Sequence, residues 1–330
     1  MLCIFTTQNH QMSPRPRFRV SSSKSFEAQK RQEMESVGAT SFGVGEVARP
    51  DLCSLHQMPV WFQLQSNPWI LDSYRPISSS TLASAGSLSY IHNESVNIYS
   101  HLIPAVLFML GGWHMQHYLA SEYPKLTGAD STAFSIFMLA AFACLSLSAT
   151  YHTLMNHSQR VEHLCLQLDM LGIVILISGD HVLGIYVIFW CETWLRYVYW
   201  CMVGFFGIIT VCVTLNPKLQ GPKYRLLRAL SFVAAGMSGV APLIHGISAF
   251  GIAQTIEKVL PYALIKAACL VSGTFIYATR FPERRYPGCF DLWGSHSIFH
   301  ILVVFAAVVQ LIGYLDAFDY AHTNLICSSR

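Results

Sequence analysis

The sequence predicts an all-α fold, a bundle of seven transmembrane helices with a cytoplasmic N-terminus and an outer C-terminus. Composition is the first reason. Of 330 residues, 53% are hydrophobic and 12% are charged, and the mean hydropathy is +0.41. Soluble domains carry about 25% charged residues, so an ordinary soluble enzyme is excluded. The second reason is run length. Seven apolar stretches reach about 20 residues, the length an α-helix needs to cross a bilayer core. No water reaches that core, and a helix satisfies its backbone hydrogen bonds internally. The third reason is the placing of charge. Residues 1–90 hold 14 of the 39 acidic and basic residues, which separates a polar N-terminal arm from a long apolar body. A net charge of +3 is too small to point to nucleic acid.

Taken in order, residues 1–58 read as a disordered cytoplasmic arm, rich in Ser, Arg and Gln and without a signal-peptide pattern. Residues 59–96 form a pre-membrane segment. Its Pro59-Val60-Trp61-Phe62 and Pro68-Trp69-Ile70-Leu71 fit either a short interfacial helix or a loop with a few apolar residues. The membrane domain covers 97–315, with spans at 98–119, 131–154, 164–189, 195–215, 229–251, 259–278 and 295–315. The third span is long and contains Asp180 and His181, so a tilt or break is expected there. Residues 316–330 are a short outer tail.

Orientation follows from Lys and Arg, which favour the cytoplasmic side. Residues 1–90 hold eight, and the even-numbered loops add Arg160, Lys218, Lys223, Arg225, Arg228, Arg280, Arg284 and Arg285. The opposite side receives Lys125, Arg196, Lys258 and Arg330, with Lys266 inside a helix. The ten cysteines include no CxxC pair and mostly fall in apolar runs, which reads as buried thiols rather than a disulfide framework. The sequons at Asn93 and Asn156 face the cytoplasm in this orientation and are expected to stay unmodified.

Titratable groups inside a span are costly and tend to mark function. His296 and His300 open the seventh span four residues apart, so both imidazoles project from one helix face. Ser148 and His152 repeat that spacing at the end of the second span, and Asp169 lies early in the third. A lone intramembrane His is more often a packing residue than a ligand. The predicted topology, however, brings His152, Asp169, His296 and His300 to one depth near the cytoplasmic face. Three imidazoles with an open fourth position is the arrangement of catalytic zinc, which lowers the pKa of a bound water. Asp169 would orient or deprotonate that water, or be a fourth ligand. Ser148 would bond a developing oxyanion or support a ligand. Glu94, Asn97 and His101 lie near this depth, where capping and loop bonding are the favoured reading. His245, after Pro242 in the fifth span, reads as a packing or kink feature.

These residues resemble the progestin and adipoQ receptor family, related to haemolysin III. The resemblance rests on Ser148 and His152, on Asp169 followed by Leu171-Gly172-Ile173, and on His296 and His300. It is supported by Tyr74-Arg75-Pro76, the run from His92 to His101, Pro282-Glu283-Arg284, and Pro287-Gly288-Cys289-Phe290-Asp291. The stretch from Gly239 to Gly246 is similar to the fungal, osmotin-receptor-like branch, whose members are zinc-homeostasis proteins. The likeness covers about residues 59–315. It implies a zinc ion on His152, His296 and His300 with Asp169 near a water. It also implies either a receptor or a hydrolase of ceramide-like lipid amides. Met170 and the Asp180-His181 pair depart from the family pattern, which bears on the lipid cavity rather than on the metal.

Three readings follow. The first is an intramembrane zinc amidohydrolase acting on a sphingolipid-type amide, with Asp169 and Ser148 catalytic. The second is a receptor with structural zinc, sensing a lipid or an extracellular protein ligand. The third is a regulator of zinc or sterol homeostasis. A transporter is disfavoured, since the sequence has no inverted repeat and no row of pore-lining charges.

Overall fold

A computed structural model describes residues 51–219 and 222–327. The expected disordered arm lies outside these residues except for 51–58. That short stretch belongs to the body: Cys53 pairs with Tyr74 through backbone bonds of 2.7 and 2.9 Å, and Met58 is buried.

Two short helices precede the membrane domain, α1 (Val60–Gln65) and α2 (Thr81–Gly86). The long helices are α3 (Ser95–Glu122), α4 (Gly128–Leu154), α5 (Gln159–Ile188) and α6 (Thr193–Leu215). After them come α7 (Arg225–Met237), α8 (Val240–Phe250), α9 (Ile252–Lys258), α10 (Leu260–Thr279) and α11 (Ser295–Asn324). Seven spans are long and apolar enough to cross a membrane, with α7 and α8 together making the fifth. Among the described residues there is no strand beyond the single bridge at Cys53 and Tyr74. The protein is a multi-pass integral membrane protein, as the composition predicted.

Three departures from the predicted spans have physical causes. The third span is an unbroken helix of 30 residues despite Asp180 and His181, because the Asp180 carboxylate finds partners inside the bundle. The fifth is interrupted at Ser238-Gly239. The His181 ring lies there, 2.4 Å from where a Gly239 Cβ would stand, so only glycine admits it. The seventh runs nine residues past the expected end at 315, to Asn324, and at 30 residues is about 45 Å long.

The centre of the bundle is α4 against α5. Glycines on α5 permit close approach, the usual device where water supplies no driving force between helices. A Cβ on Gly179 would lie 2.4 Å from Ala140 Cβ, and one on Gly172 would lie 3.1 Å from Cys144 Cα. Gly172 is one turn beyond Asp169, and Cys144 one turn before Ser148, so this contact sets the spacing of two candidate site residues. α3 and α11 complete the core, where Phe134, Phe137, Leu145, Leu183, Tyr314 and Phe318 are fully buried. α4 begins with a capping box: Asp130 Oδ2 accepts from Thr127 N at 2.7 Å, and Thr127 Oγ1 accepts from Asp130 N at 3.3 Å.

Residues 51–94 lie across one end of the bundle. Asn67 Nδ2 donates to Glu283 Oε1 at 2.9 Å, and Asp291 Oδ1 accepts from Leu71 N at 2.8 Å. Glu283 Oε2 also accepts from Ser295 N at 2.8 Å, so one buried carboxylate joins this strap to the start of α11. Within residues 59–71 a short helix forms only at α1, and 66–71 are not helical. That helix buries Phe62 against Met58 and Tyr74 while Val60 and Leu64 stay exposed.

The cysteine expectation needs correction. Cys191 and Cys327 form a disulfide at the opposite end of the bundle. Their 136-residue separation gives no sequence cue; the pair meets because α5 and α11 end side by side. The other described cysteines are free, and of these Cys144 and Cys165 are buried.

Candidate metal centre

The strap end of the bundle gathers three imidazoles. His152 arrives on the last turn of α4, and His296 and His300 on the first turns of α11. His296 Nε2 lies 3.2 Å from His152 Nε2 and 3.2 Å from His300 Nε2, and the ligand atoms all fall within 4.8 Å of one another. Tetrahedral ligands at about 2.0–2.1 Å from one ion stand about 3.3 Å apart. The spacing therefore fits a shared metal ion. His152 and His300 are buried, which keeps competing water ligands few.

The other ring nitrogens are held from α3. Glu94 Oε2 lies 2.8 Å from His152 Nδ1, and Asn97 Nδ2 donates to the same Glu94 oxygen at 2.6 Å. The Asn97 carbonyl lies 3.2 Å from His300 Nδ1, and its side-chain oxygen accepts from Ser297 Oγ at 2.7 Å. Such partners fix ring orientation and direct Nε2 inward, as carboxylates and carbonyls do behind metal-bound histidines. Buried Arg75 holds the backbone of the same turn, donating to the carbonyls of His152 at 2.6 Å and Thr153 at 2.9 Å. Burial pulls its guanidinium down to about 10. Glu94 sits just before α3, and its hydrogen bonds and the nearby imidazoles hold its carboxyl near 2 despite burial.

Asp169 and Ser148 stand beside the histidines. The Asp169 carboxylate interacts electrostatically with the Ser148 hydroxyl and with His152. It lies outside the three-histidine group, whose ligand atoms fall within 4.8 Å of one another. The Tyr277 ring lies 5.2 Å from that of His296. His101 stacks face to face on His300 at 3.8 Å and 8°, with both of its ring nitrogens buried and unpartnered.

Sequence reasoning gathered the three histidines, Ser148 and Asp169, and it undervalued α3. Glu94, Asn97 and His101 were read as caps, yet Glu94 and Asn97 support the ligands and His101 covers one of them. Their i, i+3 and i+4 spacing on one helix face was the available signal. His245 is a packing residue as read, with Nδ1 2.8 Å from the Tyr199 hydroxyl. Asp180 belongs to a second intramembrane cluster. Its carboxylate accepts from Lys266 Nζ at 2.7 Å and from the Tyr314 hydroxyl at 2.8 Å, joining α5, α10 and α11.

Fold and site together define a seven-helix membrane protein with a buried three-histidine group able to hold a metal ion. Comparison with known proteins places it more closely. Residues 89–311 match the haemolysin-III-related family model, and the chain belongs to that family. It is 35% identical over 297 residues to the ADIPOR-like receptor IZH2 of Saccharomyces cerevisiae, covering 88% of this chain and 93% of that one. It is 34% identical over 271 residues to the adiponectin receptor protein of Drosophila melanogaster, covering 82% of this chain and 60% of the relative. Identity to the progestin and adipoQ receptor-like protein 1 of Caenorhabditis elegans is 34% over 286 residues, covering 86% and 64%.

Proposed function

We propose that the protein is a zinc-dependent hydrolase of lipid amides, ceramide-like in class, working at the cytoplasmic side of its membrane. The observation that carries this reading is the convergence of three Nε2 atoms, with His296 Nε2 3.2 Å from each of the other two, beside Asp169 and Ser148. Imidazole is a preferred ligand for zinc, and three protein ligands leave a position open. When bound, zinc would supply Lewis-acid polarisation of the amide carbonyl and a more acidic water.

The protein's own groups would do the rest. Glu94 and Asn97 hold His152 and His300 so that neither ring turns as charge develops. Asp169 takes the proton of the attacking water and returns it to the leaving amine nitrogen. Ser148 would orient that carboxylate or donate to the carbonyl oxygen as it gains charge.

Two observations support the cytoplasmic placing. Basic residues concentrate at the strap end, and the disulfide lies at the other end, where an oxidising compartment would preserve it. The receptor reading is favoured by a different fact: the yeast and fly relatives carry the name receptor. Turnover separates the two. Purified protein with stoichiometric zinc is expected to release fatty acid from a ceramide, and Asp169→Ala to keep the metal while losing at least about 100-fold in rate. Full zinc occupancy without release of fatty acid from any sphingolipid amide would establish the receptor reading. Stoichiometric zinc in a His152, His296 and His300 triple alanine variant would remove the site assignment altogether.

A further inference from the structure

A cleft of about 400 Å³ opens between α3 and α11, floored by Met138 of α4. It is separate from the metal centre, and its shape is unusual for two neighbouring helices. At the metal end, α3 and α11 are joined by Ser297 donating to Asn97 and by the His101–His300 stack. At the other end they are joined again, by Tyr123 donating to Asp319 at 3.0 Å and by the Tyr123 and Phe318 rings at 4.9 Å. Between these two ties the helices stand apart. The cleft's inner end, at Pro104 and Val304, is one turn beyond the stacked histidines. From Pro104 to Tyr118 it runs for about 21 Å at 1.5 Å per residue.

Its lining is almost wholly apolar. Leu107 and Gly111 on one wall face Val308 and Leu311 on the other. Polar groups occur only at the end away from the metal, where His114 and Tyr118 are exposed one turn apart. Neither the His114 ring nor the Tyr118 hydroxyl bonds another described residue. The surroundings of that end are acidic: Glu122 stands one turn beyond Tyr118 on α3, and Asp319 accepts from the Tyr123 hydroxyl.

We propose that this cleft holds one acyl chain of a phosphatidylcholine-type lipid from the leaflet away from the metal centre. The length, bounded by a tie at each end of the two helices, suits a single extended chain. Tyr118 and His114 are placed to hydrogen-bond the ester and phosphate oxygens where the chain leaves the cleft. Glu122 and Asp319 complement a quaternary ammonium and repel a headgroup of net negative charge. The occupant lies along the back of α11, against the turn that follows His300, so the lipid braces the helix that carries two of the three imidazoles. This assignment does not depend on whether the metal centre turns over substrate.

The test uses the full-length protein in nanodiscs of phosphatidylcholine bearing a diazirine in one acyl chain, with cross-links mapped by mass spectrometry. Leu107, Met115 and Val308 are expected to label about fivefold more than the exposed α10 residues Leu264 and Val271, an enrichment that one membrane hydrogen bond supports. Gly111→Leu fills the cleft and should bring labelling down to the α10 level with metal content unchanged. If that variant does not fold, Val308→Trp fills the same space from the lipid-facing side. Phosphatidylglycerol carrying the same diazirine should not show the enrichment. Uniform labelling, enrichment that survives both cleft-filling variants, or equal enrichment with phosphatidylglycerol would each overturn the proposal.

Discussion

Glu94 bonds His152 directly and is tied by Asn97, so removing it frees a ligand ring to rotate and leaves its Nδ1 without a partner. Glu94→Ala is expected to weaken metal affinity by about 10–100-fold, read by competition with a chelator, while the helical circular dichroism is kept. Lys258 offers a contrasting case outside the spans. It is buried, donates to the Ile188 carbonyl at 3.3 Å, and has its ammonium pulled down to about 8 by burial, against the opposing pull of Glu192. Its folded pKa is below the ordinary 10.5, so between these values the unfolded chain binds more protons and stability rises with pH. Lys258→Met should therefore stabilise the protein at pH 7 by on the order of 1 kcal/mol. That gain should shrink as pH climbs through the window from 8 to 10.5. Thermal unfolding in detergent across that range checks it, and a gain independent of pH would contradict the role of the buried charge.

At the scale of elements, the α4–α5 contact and the Asp180 cluster set the geometry of the bundle. α10 buries only Gly273, and Lys266 ties it to α5. An ion pair in a membrane interior is held by mutual need: loss of one partner strands the other. Asp180→Leu is expected to cost about 3 kcal/mol of stability, whereas Asp180→Leu with Lys266→Met should recover most of that cost. A double variant no more stable than the single one would show that the pair is not coupled in this way. The sequence displayed Asp180, His181 and Lys266 as anomalies but gave no means of pairing two groups 86 residues apart. The interruption at Gly239 was hidden for the same reason, since it answers to a ring on another helix.

For the whole molecule, hydropathy sufficed to count seven spans because the bilayer imposes one length on every crossing. The three histidines were legible because two share a helix turn and the topology levelled the third with them. What composition could not reveal was contact: the Glu94 and Asn97 support, the cleft between α3 and α11, and the disulfide between Cys191 and Cys327. That disulfide links residues 136 apart, and its loss is expected to cost about 2–4 kcal/mol, seen as a lower unfolding temperature in reductant with the metal retained. Orientation can be read from the same bond. In sealed vesicles of known sidedness, an impermeant reductant should open it only from the outer or lumenal face, and opening from the cytoplasmic face would reverse the assigned topology.

α11 carries His296 and His300 at its start, and the tail just beyond it carries Cys327. Their partners, His152 and Cys191, are made much earlier, so both closures wait for the same late stretch of chain. Until α11 and the tail beyond it are made, the translating protein has one of the three imidazoles and one of the two bridged cysteines, at opposite ends of the bundle. The last stretch of chain therefore supplies what both closures lack.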